Sequence, residues 1–150
     1  MMRPRGFSLV ELVVVMVLIA ALAALGLAAI GSGLPGQKLR GAAKELAAEL
    51  RFTRAQAIAT GREQVFRIDV GDKRWQGSGE RQGELPGGIA IEAIGAREAL
   101  DEPQAVAIRF FPDGAATGGR LVLRSGEAAW RVDVAWLTGE VRLRRGEGEP

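Results

Sequence analysis

Arg5-Gly6-Phe7-Ser8-Leu9-Val10-Glu11 opens an apolar run that reaches Ile30 with Glu11 as its only ionisable residue. Residues 7–30 number 24. A helix of that length extends ~36 Å, against ~30 Å for the hydrocarbon core of a bilayer, so the stretch predicts a membrane helix. The competing reading is a discarded secretory signal, with the small residues between 20 and 29 as its cleavage region. Glu11 opposes it: a carboxylate at mid-bilayer costs roughly 2–3 kcal/mol, less near the end of the span, and a segment made for removal has no reason to carry one. An intramembrane acid by default has a partner. A cut after Gly6 would place the new α-amino group of Phe7 one turn before Glu11, where it can pair with Glu11 of a neighbouring copy. Arg3 and Arg5 flank the run, so the positive-inside rule puts 1–6 in the cytoplasm and everything after Ile30 across the membrane.

The same residues carry a family likeness. Arg5-Gly6-Phe7-Ser8-Leu9-Val10-Glu11 followed by an apolar helix resembles the type III signal of the type IV pilin and type II secretion pseudopilin superfamily. The resemblance implies that a prepilin peptidase cuts after Gly6 and methylates Phe7, and that Glu11, fifth in the mature chain, guides assembly into a filament.

Composition sets bounds on the rest. A chain of 150 residues with 47% apolar content is one domain's worth, and beyond the anchor it leaves one modest globular unit at 38–150. There is no cysteine, so stability must come from the core. The formal charge is +2, but removal of Arg3 and Arg5 leaves 18 basic against 18 acidic residues. The mature chain is near neutral, which offers no global electrostatic case for nucleic acid.

Gly31-Ser32-Gly33-Leu34-Pro35-Gly36 is the densest cluster of helix breakers, and 31–37 reads as a hinge or linker. Helical spacing resumes over 38–60. Leu39, Ala43, Leu46, Leu50, Ala57 and Ile58 share one face, and Lys38, Lys44, Glu45, Glu49 and Arg51 are mostly opposite. Gly61 is placed to take the left-handed position that ends this helix. Arg40, Lys44, Arg51, Arg54 and Arg62 are interleaved with acids, which predicts a solvated face rather than a nucleic-acid stripe. Phe52 lies off the apolar stripe, either covered by a loop or in contact with another subunit.

Alternation then replaces helical spacing, and 64–145 reads as β-sheet. Phe66, Ile68 and Val70 fall on one face of a strand, Gly71-Asp72-Lys73 turns it, and Arg74-Trp75-Gln76 pairs back. The polar, glycine-rich stretch 77–88 predicts a long mobile loop. Strands follow at 89–94 and 104–111, separated by the polar segment 95–103. Last comes an antiparallel meander at 120–124, 130–135 and 140–144. Its turns are Phe111-Pro112-Asp113-Gly114, Thr117-Gly118-Gly119, Ser125-Gly126-Glu127 and Leu137-Thr138-Gly139.

Phe110-Phe111-Pro112-Asp113-Gly114 with Ala116-Thr117-Gly118-Gly119, then Thr138-Gly139-Glu140-Val141-Arg142-Leu143, resembles the C-terminal domain of the minor pseudopilin H family, GspH, and its pilus relative FimT. Glu140 stands where that family commonly has a basic residue. The implied fold is α+β: a long N-terminal helix packed on antiparallel sheets. Pro112, Gly114, Thr117, Gly118, Gly119, Thr138 and Gly139 read as turn chemistry. A phosphate cradle would need such glycines between a strand and a helix N-terminus, and no helix follows.

His, Cys and Tyr are all absent, which removes the usual general base, thiol nucleophile and imidazole metal ligand. Nor do the carboxylates form an acid/base pair or a calcium loop. The expectation is a non-enzyme, without metal or cofactor. The resemblance implies a minor pseudopilin at or near the tip of a type II secretion pseudopilus, anchored in the bacterial inner membrane with its C-terminal domain in the periplasm. It would assist export of folded proteins, with prepilin peptidase, other pseudopilins, the secretin and exoprotein substrates as candidate partners. A second reading is a FimT-like minor pilin for pilus assembly or DNA uptake, binding DNA through Arg142, Arg144 and Arg145 with Arg124 and Arg131 adjacent. Glu140, Glu147 and Glu149 weaken that patch. The remaining reading is a membrane-anchored β domain of unrelated function.

Overall fold

The computed structural model describes residues 9–31, 34–97 and 105–146. The expected cut site and modified residue, Gly6 and Phe7, and Ser32 and Gly33 of the expected hinge, lie outside them. The chain divides into two compact units, Met1–Leu34 and Pro35–Pro150.

The first unit contains helix α1, Leu9–Gly31, whose first turn holds Glu11. Its side chains at 9–22 are all exposed, valine, leucine, isoleucine and methionine included. An α-helix that is apolar on every side buries that surface in lipid or in other protein.

Helix α2 spans Leu34–Thr60, all but its first residue in the second unit. It starts before the expected residue 38, taking in Pro35 and Gly36. Proline is tolerated in a first helical turn because its missing N–H would have had no intrahelical acceptor there. Gly61, at φ +63°, follows the helix in the left-handed conformation. Leu39, Ala43, Leu46, Leu50 and Ala57 are fully buried, as the helical spacing requires. Ile58 departs from that stripe and is 47% exposed.

Nine strands follow among the described residues: β1 Gln64–Asp69, β2 Arg74–Gln76, β3 Gln82–Glu84, β4 Ala90–Ile94, β5 Ala96–Arg97, β6 Ala105–Phe110, β7 Gly119–Ser125, β8 Ala128–Val134 and β9 Val141–Gly146. They form two sheets, β3-β2-β1-β6-β5 and β4-β7-β8-β9, with every pairing antiparallel. Alternation puts Phe66, Ile68, Val106, Ile108 and Phe110 on the inner face of the first sheet, and Ile91, Leu121, Leu123, Val132 and Val134 on that of the second. These residues and the buried face of α2 form one core cluster. Each fully buried leucine, isoleucine or phenylalanine contributes about 2 kcal/mol of apolar transfer.

The stretch expected as a mobile loop, 77–88, is instead partly a hairpin. β3 pairs with β2 through Arg74↔Glu84, Trp75↔Gly83 and Gln76↔Gln82. The Gly77 N–H donates to the Arg81 carbonyl (2.7 Å), and Gly79 and Glu80 take positive φ in the turn between them. Glycine at 83 lets the ring of Trp75 lie on the backbone, where a Cβ would overlap it. Trp75 is buried and stacks on Phe66, with ring centroids 6.0 Å apart.

Arg81 of this turn ties the hairpin to α2. Its Nε donates to Oε2 of Glu49 at 2.8 Å, its Nη2 bonds Oε1, and its guanidinium lies over Phe52, 4.6 Å from the ring centroid. One expectation is corrected here, and for Phe52 the first of its two expected settings is found. Glu49 is not on a solvated face but only 5% exposed, and it tolerates burial because a cation meets both of its oxygens. Phe52 is covered by this loop.

The basic residues of α2 are exposed as expected, except for the half-buried Arg54, but three of them also bind the rest of the unit. Arg51 Nη2 donates to the Val141 carbonyl (3.0 Å), Arg54 Nε donates to the Gly114 carbonyl (3.0 Å), and the Arg40 guanidinium lies 5.7 Å from the Trp130 ring centroid. Long aliphatic stems let these heads reach off the helix to the C-terminal sheet.

Candidate functional site

Two parts of the molecule invite a functional reading: α1 with Glu11, and the glycine-rich turns at one end of the second sheet. The position of Glu11 in the first turn of α1 is physically favourable. Free backbone N–H groups and the positive end of the helix dipole lie there, which lowers the cost of an acid in an apolar helix. Among the described residues no helix is long and apolar enough to cross a membrane, and the part of α1 with described side chains ends at Leu22. The sequence itself keeps α1 apolar through Ile30.

The turn motif is a set of interlocking clamps. The Gly114 N–H donates to the Phe111 carbonyl (2.9 Å) across Pro112 and Asp113, and Asp113 Oδ1 accepts from the Ala115 N–H (3.0 Å). Pro112 presets the backbone for this turn. Thr117 grips β6 twice: its N–H donates to the Arg109 carbonyl (3.0 Å) and its Oγ1 accepts from the Arg109 N–H (3.1 Å). Thr138 Oγ1 accepts from the Glu140 N–H at 3.3 Å. Gly119 packs where a Cβ would meet Ile108 at 2.8 Å.

Three of the glycines have positive φ; Gly118 and Gly139 leave no room for a side chain, and a Cβ on Gly114 would lie 3.0 Å from the end of the Arg54 side chain. Gly118 (φ +76°) lies under Trp136, and a Cβ there would be 2.9 Å from the Trp136 Cβ. Gly114 (φ +87°) and Gly139 (φ +62°) meet each other: a Cβ on Gly139 would run into the Gly114 carbonyl, which Arg54 already holds. The motif residues therefore lock the β6–β7 and β8–β9 connections together.

The arginines are arranged by register. The outer face of the second sheet reads in rows across β4, β7, β8 and β9: Ile94, Arg120, Asp133, Arg142; then Glu92, Val122, Arg131, Arg144; then Ala90, Arg124, Ala129, Gly146. Arg131 and Arg144 are thus direct neighbours, with Arg124 beside them. Arg145 is opposite Trp130 in register, yet it lines a groove of about 440 Å³ together with Arg124, Arg131 and Arg144. Arg120 also belongs to the patch, and the sequence offered a signal for it: Arg120 and Arg124 are four residues apart on one strand, which places them on one face.

Acids offset much of this charge. Asp133 pairs with Arg120 (2.7 Å) and Arg131 (2.8 Å), Glu92 with Arg124 (3.6 Å), and Glu140 with Arg142 (2.6 Å). The Asp133–Arg131 contact is one of charge rather than directed hydrogen bonding, since the Arg131 Nε has no correctly angled acceptor. The hydrogen bond from Arg142 holds the Glu140 carboxyl below its ordinary range; partial desolvation opposes this, and the charges of Arg142, Arg144 and Arg54 add to it. Among the described residues no cluster of carboxylates, histidines or cysteines is placed to hold a metal ion.

Comparison with known proteins agrees with this geometry. The family model "Type II transport protein GspH" matches residues 42–139, and "Prokaryotic N-terminal methylation motif" matches residues 1–31. The type II secretion system protein H of Xanthomonas campestris pv. campestris is 49% identical over 138 residues, covering 92% of this chain and 82% of that protein. The minor pseudopilin EpsH from the type 2 secretion system of Vibrio cholerae superposes with a TM-score of 0.56 at 19% identity, covering 72% of this chain and 97% of that one. The type IV minor pilin FimU of Pseudomonas aeruginosa gives 0.56 at 14% identity, covering 75% and 95%. At such identities the two structures speak for the fold, which is pilin-like. The GspH match runs from α2 to the turn at Gly139 and the methylation motif covers the helix before it, so the chain belongs to the type II transport protein GspH family and is a minor pseudopilin of a type II secretion system.

Proposed function

We propose that the chain is matured by prepilin peptidase at Gly6, methylated on Phe7, held in the inner membrane by 7–30, and built into the pseudopilus at or near its tip with the second unit in the periplasm. It assists the passage of folded exoproteins toward the secretin. The observation that carries this reading is α1: apolar on every described side, with one acid in its first turn. In a filament, lateral contacts among such helices supply cohesion. The pair between Glu11 and a neighbour's α-amino group sets axial register at modest net gain, as is usual for buried ion pairs.

Glu11→Ala in the full chain tests this. Membrane insertion should be retained, because removing a charge makes the helix more apolar. Incorporation into pseudopili should fall, and secreted hydrolases should accumulate in the periplasm. Normal filament recovery and normal secretion by this variant would remove Glu11 from assembly.

The DNA-uptake reading draws on the Arg131↔Arg144 register. It is the weaker one. Arg124, Arg131, Arg144 and Arg145 do line one groove, but Arg124 is paired with Glu92, Arg142 is tied to Glu140, and Arg120 and Arg131 share Asp133.

A further inference from the structure

Residues 77–84 comprise three glycines, two glutamates, a serine, an arginine and a glutamine, with no apolar side chain to anchor them between the buried Trp75 and Leu85. They nevertheless cover buried parts of the unit. Gly83 lies on the Trp75 ring, where a Cβ would come within 2.5 Å. Arg81 covers Phe52, and Gly77 packs on α2, where a Cβ would be 3.5 Å from Thr53 Oγ1 and 3.7 Å from Glu49 Oε2.

Little besides Arg81 holds this cover in place. β3 is an edge strand of three residues, paired on one side only. The Leu85 N–H donates to the Lys73 carbonyl (2.8 Å) at one end of the hairpin, the Gly77 N–H to the Arg81 carbonyl at the other, and Ser78 Oγ donates to Gln64 Oε1 at 2.7 Å. Closure also carries a cost. The indole N–H of Trp75, beneath Gly83, is buried and meets no acceptor among the described residues, so it gains a hydrogen bond wherever water reaches it. Against that cost the contact of Arg81 with both oxygens of Glu49 is the strongest single tie, because charge-assisted bonds hold harder than the neutral one from Ser78. Arg81 is half-exposed, so salt reaches the pair without any unfolding.

We propose that residues 77–84 form a lid, latched by Arg81 on Glu49, that opens as a unit while the core beneath it stays folded. Opening uncovers the Glu49 carboxylate, Phe52 and the face of Trp75. Glycines at 77 and 79 supply a hinge at the near end, and a short polar edge element opens at less cost than a strand paired on both sides. Breaking one ion pair then controls access to a buried acid and two aromatic rings.

Hydrogen exchange on the full chain in detergent, read group by group by NMR at rising urea below the unfolding transition, tests this. The Gly77 and Leu85 amides and the Trp75 indole N–H should share one opening equilibrium. It should lie at least about 100-fold above that of Leu123 and Val132, which sit in strands paired on both sides, and should depend little on urea, since lid opening exposes little surface. Arg81→Ala should raise the opening about tenfold or more. Arg81→Lys, which keeps the charge but loses the two-pronged grip, should raise it less. Added salt should raise it in the wild type and not in Arg81→Ala. Lid groups that exchange with the rate and urea dependence of Leu123 and Val132 open only with the whole unit, and an opening unchanged in Arg81→Ala has another latch; either result overturns the proposal. Should Arg81→Ala not fold, a wild-type opening that responds neither to salt nor to Arg81→Lys overturns it equally.

Discussion

Two glycines with nearly the same backbone conformation should respond very differently to alanine. Gly126, at φ +57°, occupies the first position of the two-residue loop between β7 and β8, with no atom within 4 Å of the place a Cβ would take. Gly139, at φ +62°, has the Gly114 carbonyl in the way and Arg54 Nε at 2.9 Å. Alanine in the left-handed region costs about 1–2 kcal/mol, and both variants bear that term. Gly139→Ala adds overpacking strain of about 1–3 kcal/mol, because a backbone carbonyl cannot swing aside as a side-chain end can. It also disturbs the Arg54-to-Gly114 hydrogen bond of 3.0 Å, for about 1 kcal/mol more. The expected totals are about 1–2 kcal/mol for Gly126→Ala and about 3–6 kcal/mol for Gly139→Ala. At roughly 4 °C per kcal/mol for a unit of this size, the unfolding temperature falls by about 4–8 °C and about 12–24 °C respectively. Thermal and urea unfolding of the full chain in detergent, followed by near-ultraviolet circular dichroism, measures both. Equal destabilisation would refute the close approach of Gly139 and Gly114.

Two smaller predictions concern the same unit. Leu46→Ala removes a side chain that is fully buried in the core shared by α2 and both sheets and should destabilise by about 2–5 kcal/mol in the same unfolding assay. Glu140, held down by the hydrogen bond from Arg142, should titrate below an ordinary exposed glutamate in carboxyl-carbon NMR, and Arg142→Ala should raise it back. With its folded pKa depressed, any stability from this pair is present above the ordinary carboxylate pKa and is lost as pH falls through the lowered value.

Elements with local signals were legible from the residues alone. The buried stripe Leu39, Ala43, Leu46, Leu50 and Ala57 follows from helical spacing, and the C-terminal meander follows from alternation between turn residues. What escaped depends on distant partners. Glu49 looks like a surface acid until Arg81, thirty-two positions away, is found beside it. The β2–β3 hairpin looks like a loop because Gly83 has no side chain to alternate, and only the Trp75 ring above it reveals the pairing. Ile58 sits at the correct spacing, yet at the helix end the sheets no longer cover it. In the site, the glycines and the Leu137-Thr138-Gly139 turn were legible, but the meeting of Gly114 with Gly139 and the exposed Trp136 beside it were not.

In the motif of glycines, one proline and two threonines both hydroxyls accept backbone hydrogen bonds, from Arg109 and Glu140, and the glycines make the turns compact. Gly114, Gly118 and Gly139 each sit where a Cβ would meet the Gly114 carbonyl, Arg54 or Trp136. The consequence is that two connections lie closer together than side chains would allow, and that Trp136 and Leu137 stand on the outside of the joined turns. Both ends of the chain then follow the same logic. Apolar side chains of α1 and of this turn are kept in solvent by ordered backbone, a state that lowers free energy only when a partner or a membrane covers them. For a subunit whose work is to be assembled, ordering the surface beforehand moves conformational cost from binding to folding, where the core can bear it.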